Sequence, residues 1–567
     1  MKSQIKQCQN CKQKFTIEPE DFIFYQKMKV PAPTFCPDCR RQRRISFFNL
    51  INLYIRTCDL CKKEKVSMYA PEIPYKIYCP HCWWSDNWDP LEYGRDYDFT
   101  RPFFKQFNEL WHEVPLLGLS IDPPTTLSSP HTNHAGHLKN CYLIFHADNT
   151  EDSAYGIANF QNRSVFDCSL IRGSDFCYDC IHAYKDNHGV GLDHTNESLD
   201  CVFLKDSKNC QNCFASTNLR NKKYYIFNKA YTKKEYFKKI GKWDLGSYKT
   251  YQEIKKLAEK HWKKFPPKPC WDEFSTDITG NYVFESKNCK QCYEVTGAKD
   301  CKYLFMMGNP PIRDCYDISS WGGNQALSYE CCVVGDNVSN VKFCQEAGLI
   351  LHNVEYCKLS FSGSDHFGCV SVGKGKYCIL NKLYAKSEYL SLVKRIKKQM
   401  DDLPYIDKKG RVYTYGEFFP IELSPFAYNE TLAQKFFPLT SDEAVKQGYA
   451  WRKSKERHHK ITIPYNKLPD HIKDVSEDIL KQVIGCQSCQ RGFRIIKMEF
   501  DFLRKMNLPL PRECPFCRIN KKFDQWVKNL RMIKRTCSEC NTAFETSYAE
   551  QDFKNILCKK CYLQATV

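Results

Sequence analysis

The chain has no apolar run approaching the ~20 residues that a membrane-spanning helix needs. Its first seven residues, Met1 to Gln7, are polar and lead straight into Cys8, so no signal-peptide core is expected. Glycine (25) and proline (27) are not in excess among 567 residues, and no long low-complexity tract occurs, which argues against a disordered or fibrous chain. No phosphate loop, paired-carboxylate motif, nucleophile–base arrangement or DNA-recognition helix can be identified, so no catalytic residue is assigned. A mean hydropathy of −0.56 and 14% aromatics instead describe a folded cytoplasmic protein of several domains.

Cysteine is abundant, with 34 in all. Sixteen form eight Cys-x-x-Cys knuckles, four near each end: Cys8/Cys11, Cys36/Cys39, Cys58/Cys61 and Cys79/Cys82, then Cys486/Cys489, Cys514/Cys517, Cys537/Cys540 and Cys558/Cys561. The two sets are copies. Cys8 to Cys36 and Cys486 to Cys514 both span 28 residues, and Cys58 to Cys79 and Cys537 to Cys558 both span 21. Between the knuckles Phe15/Phe493, Phe24/Phe502, Pro33/Pro511 and Arg40/Arg518 also match. Two knuckles joined by a hairpin-length stretch make a four-cysteine zinc ribbon, with thiolates closing a tetrahedron at ~2.3 Å from the metal. A disulfide framework would need an oxidising compartment. Four closed, structural Zn²⁺ sites are therefore expected, each worth ~10–16 kcal/mol of folding energy to its short segment.

The net charge of +19 is unevenly placed. Residues 1–66 carry 14 Lys/Arg against 6 Asp/Glu, residues 446–567 carry 25 against 13, and the remainder sums to −1. Basic ends suggest a polyanion partner. Arg40, Arg41, Arg43 and Arg44 follow the second knuckle, and Arg518, Lys521 and Lys522 follow its copy. Arg452, Lys453, Lys455 and Arg457 form the densest basic run, and Arg531, Lys534 and Arg535 precede the last ribbon. These residues are expected to contact phosphate, because a guanidinium fork donates two parallel hydrogen bonds. Nearby aromatics favour RNA or single-stranded nucleic acid over duplex DNA.

In the middle, Cys289, Cys301, Cys315, Cys331, Cys344, Cys357, Cys369 and Cys378 recur between short strand-like segments. Near-regular strands with a stacking residue predict a β-solenoid, resembling a parallel β-helix, with cysteine in an interior ladder. Ser207 to Cys213 recurs as Ser286 to Cys292, so the solenoid is read as duplicated. The pairs Cys177/Cys180, Cys210/Cys213 and Cys289/Cys292 are assigned to packing rather than to metal. His131, His134 and His137 are placed in a solvent-exposed loop, with His182, His188 and His194 treated alike.

The resulting organisation is mainly β: tandem ribbons at 1–100, a linker at 101–137, solenoid halves at 138–240 and 281–400, and a helical insertion at 241–280 between them, where Ile254, Leu257, Ala258, Trp262 and Phe265 at three- and four-residue intervals predict a helix over 248–265. An extended strap, rich in proline and aromatics and so anchored rather than solvated, follows at 401–469, then a helix at 470–484 leading into the second ribbon pair, which ends at 567. The run Phe35 to Arg40 with Arg43 and Arg44, the segment Trp83 to Asp86, and Phe418 to Glu430 resemble a multi-zinc-ribbon family of candidate-phyla bacteria. That resemblance implies a bacterial cytosolic setting and assigns no activity. The function expected is non-enzymatic nucleic-acid binding by zinc-ribbon ends on a repeat scaffold. The alternatives are a protein-interaction scaffold and an enzyme with its site in the solenoid.

Overall fold

A computed structural model describes residues 2–453 and 460–566. It is mainly β, with a β-solenoid in the middle, short helices, and four-cysteine clusters near both ends. The chain forms two compact units, Met1–Leu119 with Trp271–Lys453, and Ser120–Cys270 with Ser454–Val567. The N-terminal ribbons thus share a unit with the later solenoid strands, Thr276 to Leu383, and the C-terminal ribbons with the earlier ones, Thr126 to Ala230.

The solenoid strands pair in parallel, one rung onto the next. Cys177 lies beside Gly189, twelve residues on, and Ile318 beside Cys331, thirteen on. Inward side chains fall at every third position, which places the two cysteines of Cys177/Cys180 on adjacent inward sites of one rung, both fully buried. Cys289/Cys292 and Cys210/Cys213 are buried in the same way. Cys331, Cys344, Cys357 and Cys369 stack on successive rungs, where the Cys357 and Cys369 amides donate to the sulfur one rung earlier at 3.4 and 3.3 Å. The cysteine ladder expected from the sequence is present.

One residue in three turns through the left-handed backbone region, for example His182, Lys185, His188 and Gly191 at φ of 49, 54, 50 and 63°. These residues make the corners of a rung. Asn, Asp and His are the non-glycine residues enriched there. This accounts for the histidines: His134, His137, His146, His182, His188 and His194 are all corner residues. His134 and His137 lie in a strand, Asn133–Lys139, and not in a loop. A second expectation also fails. Residues 470–484 are two short 3-10 turns, Ile472–Asp474 and Glu477–Lys481, ending at a strand, not one amphipathic helix. Ile484 is drawn into pairing with Ile463 and Phe493, and sheet pairing prevails over the helical spacing. Among the described residues no helix is long and apolar enough to cross a membrane.

Candidate metal centres and the basic residues around them

Four groups of four cysteines converge: Cys8, Cys11, Cys36 and Cys39; Cys58, Cys61, Cys79 and Cys82; Cys486, Cys489, Cys514 and Cys517; and Cys537, Cys540, Cys558 and Cys561. Within each, the sulfurs lie within 4.8 Å of one another. Each is built the same way. A β-hairpin such as Gln4–Gln7 with Lys14–Ile17 carries the first knuckle. The second knuckle opens a helix, with Cys36, Cys79 and Cys514 as N-cap residues followed by proline at the first helical position. The amide of each second-knuckle leading cysteine donates to the sulfur of the first: Cys36 to Cys8, Cys79 to Cys58 and Cys514 to Cys486 at 3.2 Å, and Cys558 to Cys537 at 3.3 Å. Such bonds stabilise thiolate charge. Sulfur–sulfur separations of 3.7 Å for Cys11–Cys36, Cys489–Cys514 and Cys540–Cys558 match the ~3.8 Å edge of a tetrahedron with metal–sulfur bonds of ~2.3 Å. The donor sets therefore fit a tetrahedral metal ion.

The arginines after the knuckles are not turned towards solvent. Arg40, Arg43 and Arg44 are 1%, 1% and 0% exposed. They lie on the helix Pro37–Ile45 and meet acids of the solenoid in the same unit. Arg40 donates from Nε to Asp317 at 3.0 Å, and its Nη2 lies 2.8 Å from the same carboxylate. Arg44 bridges Asp317 at 3.0 Å and Glu330 at 3.2 Å. Arg43 joins Glu330 at 2.7 Å to Glu417 of the strap at 3.0 Å, under the Phe35 ring. Burial pushes the Glu330 carboxyl up, while Arg43 and Arg44 pull it down.

The C-terminal copy repeats this arrangement. Arg518, on the helix Pro515–Asn529, pairs with Asp167 and, at 2.9 Å, with Glu499. Lys522 pairs with Asp179 at 2.8 Å. Although burial opposes ionisation, Lys255 and Lys522 hold the Asp179 carboxyl well below its ordinary value. In both copies a cation pair spaced i, i+4 on a knuckle helix meets acids one rung apart on a solenoid. The geometry matches because four helical residues rise ~6 Å and adjacent strands lie ~4.8 Å apart.

The assignment of these residues to phosphate contact is therefore corrected: Arg40, Arg43, Arg44, Arg518 and Lys522 clamp ribbon to solenoid. Arg41 is half-buried over Phe437 and beside Asp38. Arg452 is held by Glu430 at 2.6 Å and Glu72 at 3.0 Å. Arg535 donates to the carbonyls of Tyr548 and Phe553, as its copy Arg56 does to those of Ala70 and Tyr75. Lys521 is exposed and paired with Glu513. Lys453, Arg531 and Lys534 are exposed. Lys455 and Arg457 lie outside the described residues.

A basic surface does exist where the neutral sum over the middle concealed it. Residues 220–268 carry sixteen Lys/Arg against four Asp/Glu. They include the helices Lys233–Ile240 and Tyr248–Trp262 of the second unit. Thirteen of the fourteen lysines between 222 and 264 are exposed; only Lys255, paired with Asp179, is part-buried. Phe237, 45% exposed, stands among them. A charge count in short windows would have found this stretch. No family model and no curated protein matches the chain.

Proposed function

We propose that the protein is a zinc-organised scaffold that binds RNA or single-stranded nucleic acid, without catalysing a reaction, through the lysine-rich insertion 220–268. The thirteen exposed lysines carry this reading. Only four acids lie in the same stretch, so most of these ammonium groups remain available to phosphate. Phe237 offers a face for base stacking. Zinc suits the terminal sites because four soft thiolates in a tetrahedron are its usual structural shell. The test is fluorescence anisotropy of a labelled single-stranded RNA with the full chain and with Lys233, Lys234, Lys238, Lys239, Lys260 and Lys264 all changed to Gln. The expected result is a loss of affinity of about tenfold or more. Equal affinity for the two proteins would refute the assignment. One observation favours protein docking as a second role: an open cleft beside the helix Pro515–Asn529.

A further inference from the structure

Each unit builds three walls around a groove, and among the described residues only the groove of the first unit holds a segment of the strap. In the first unit the walls are the knuckle helix Pro37–Ile45, the helix Phe103–Glu113, and the solenoid face carrying Glu330 and Tyr356. Residues 412–419 of the strap run through it. Glu417 accepts from the Thr34 amide at 2.9 Å and from Arg43 at 3.0 Å. The Gly416 amide donates to the Tyr356 hydroxyl at 2.9 Å, and the Phe418 amide to Glu330 at 3.2 Å. The Phe419 ring packs on Phe107 and Trp111.

In the second unit the walls are the knuckle helix Pro515–Asn529, the helix Tyr248–Trp262, and the solenoid face carrying Asp179 and Phe203. Asp179 stands where Glu330 does, facing the equivalent knuckle cation, and Phe203 lies two rungs on, as Tyr356 does. The space between these walls is a cleft of about 750 Å³, within the usual size of a ligand site. Gly191 occupies the rung position that Phe343 fills in the first unit, and the Phe203 ring lies over it, 2.4 Å from where a Cβ would stand.

The polar ends of the two grooves also correspond. Thr34 and Arg43, which hold Glu417, stand two residues before and seven after Cys36. At the same offsets from Cys514 stand Arg512 and Lys521, both lining the cleft. Lys521 is exposed at the rim, and Lys263 is exposed on the opposite helix. Tyr248 and Trp262 add aromatic wall.

We propose that this cleft docks an extended segment of a partner protein, one that carries an acidic residue flanked by aromatic side chains. Residues 412–419 supply such a segment in the first unit. There, a glutamate on the ribbon cation fixes the segment, backbone amides reach the solenoid acid and tyrosine, and the rings fill the space between helix and solenoid. Arg512 in place of Thr34 adds a cation at the carboxylate end, while Glu513, in place of Phe35, lines the cleft beside it and pairs with Lys521 at 2.6 Å, so an incoming carboxylate shares Lys521 with Glu513.

The probe is a labelled, end-capped peptide of the strap sequence Tyr-Thr-Tyr-Gly-Glu-Phe-Phe-Pro, with a photo-reactive phenylalanine at its last ring position. It is added to the full chain. The proposal expects binding that falls about tenfold when Gln replaces the peptide's Glu, and again in the Lys263→Glu, Lys521→Glu variant. Both lysines are exposed, so this variant should keep the wild-type circular dichroism and metal content. Cross-links should map to 248–263 and 515–529. Four results would each overturn the proposal: no binding, binding indifferent to either charge change, cross-links elsewhere, or displacement of the peptide by single-stranded RNA. The last would place nucleic acid in the cleft instead. The Glu-to-Gln change in the peptide leaves the lysine surface untouched, so that arm separates this outcome from the RNA test.

Discussion

Arg40 shows why charge in a sequence is not charge on a surface. Its partner Asp317 is 277 residues away, so nothing near Cys39 announces that the arginine is neutralised. Removing one member of a buried ion pair leaves the other unpaired, at a cost of ~3–5 kcal/mol. Asp317 keeps Arg44 at 3.0 Å when Arg40 is lost, so Arg40→Ala is expected to destabilise the first unit by less than that amount in urea denaturation, and Arg40→Ala with Asp317→Asn to cost clearly less than the two changes summed. Asp186 makes a different case. It is buried inside the solenoid, accepts from Thr195 Oγ1 at 2.6 Å and the Ser198 amide at 2.7 Å, and burial pushes its carboxyl from 3.8 up to about 7. The folded state therefore binds this proton more tightly than the unfolded chain does. The contribution is most favourable below 3.8 and declines as pH rises towards about 7. Asp186→Asn should leave stability unchanged in acid and raise it above neutrality; a midpoint that falls equally at both ends of that range would count against this account.

At the scale of elements, local features were legible where local physics decides. The knuckle spacing gave the ribbons, and apolar residues at three- and four-residue intervals gave the helix Tyr248–Trp262. The strap was legible as anchored because of its aromatics, and Phe418 and Phe419 are indeed fully buried. Residues 470–484 were misread because the pairing of Ile484 with Phe493 depends on a hairpin that helical spacing cannot reveal. The three-residue spacing of His131, His134 and His137 is visible in the sequence, whereas His182, His188 and His194 stand six apart because Lys185 and Gly191 take the corners between them. The knuckle helices begin at cysteine, so the metal should hold the clamp residues in place. Cys36→Ser with Cys39→Ser should lower the bound metal by one ion per chain, counted by native mass spectrometry. It should also open the chain to trypsin after Arg40, Arg41, Arg43 and Arg44; continued resistance there would show that the clamp forms without metal.

For the whole molecule, the duplication is of ribbon-on-solenoid units, not of free basic heads. Each ribbon pair belongs with a solenoid stack distant in sequence, and the cations that follow the knuckles, Arg40, Arg43, Arg44, Arg518 and Lys522, are spent on internal pairing. The lysine stretch 220–268, with sixteen Lys/Arg against four Asp/Glu, is present in one unit only. The two ends should therefore not act symmetrically. The most direct measurement is the slope of log affinity against log salt for single-stranded RNA, which counts phosphates neutralised at ~0.7 per contact. The slope should shrink by several contacts when the six insertion lysines become Gln, and stay as in the wild type when Arg41 and Lys534, a knuckle arginine and a ribbon lysine, become Gln. A slope that follows Arg41 and Lys534 and ignores the insertion would contradict it.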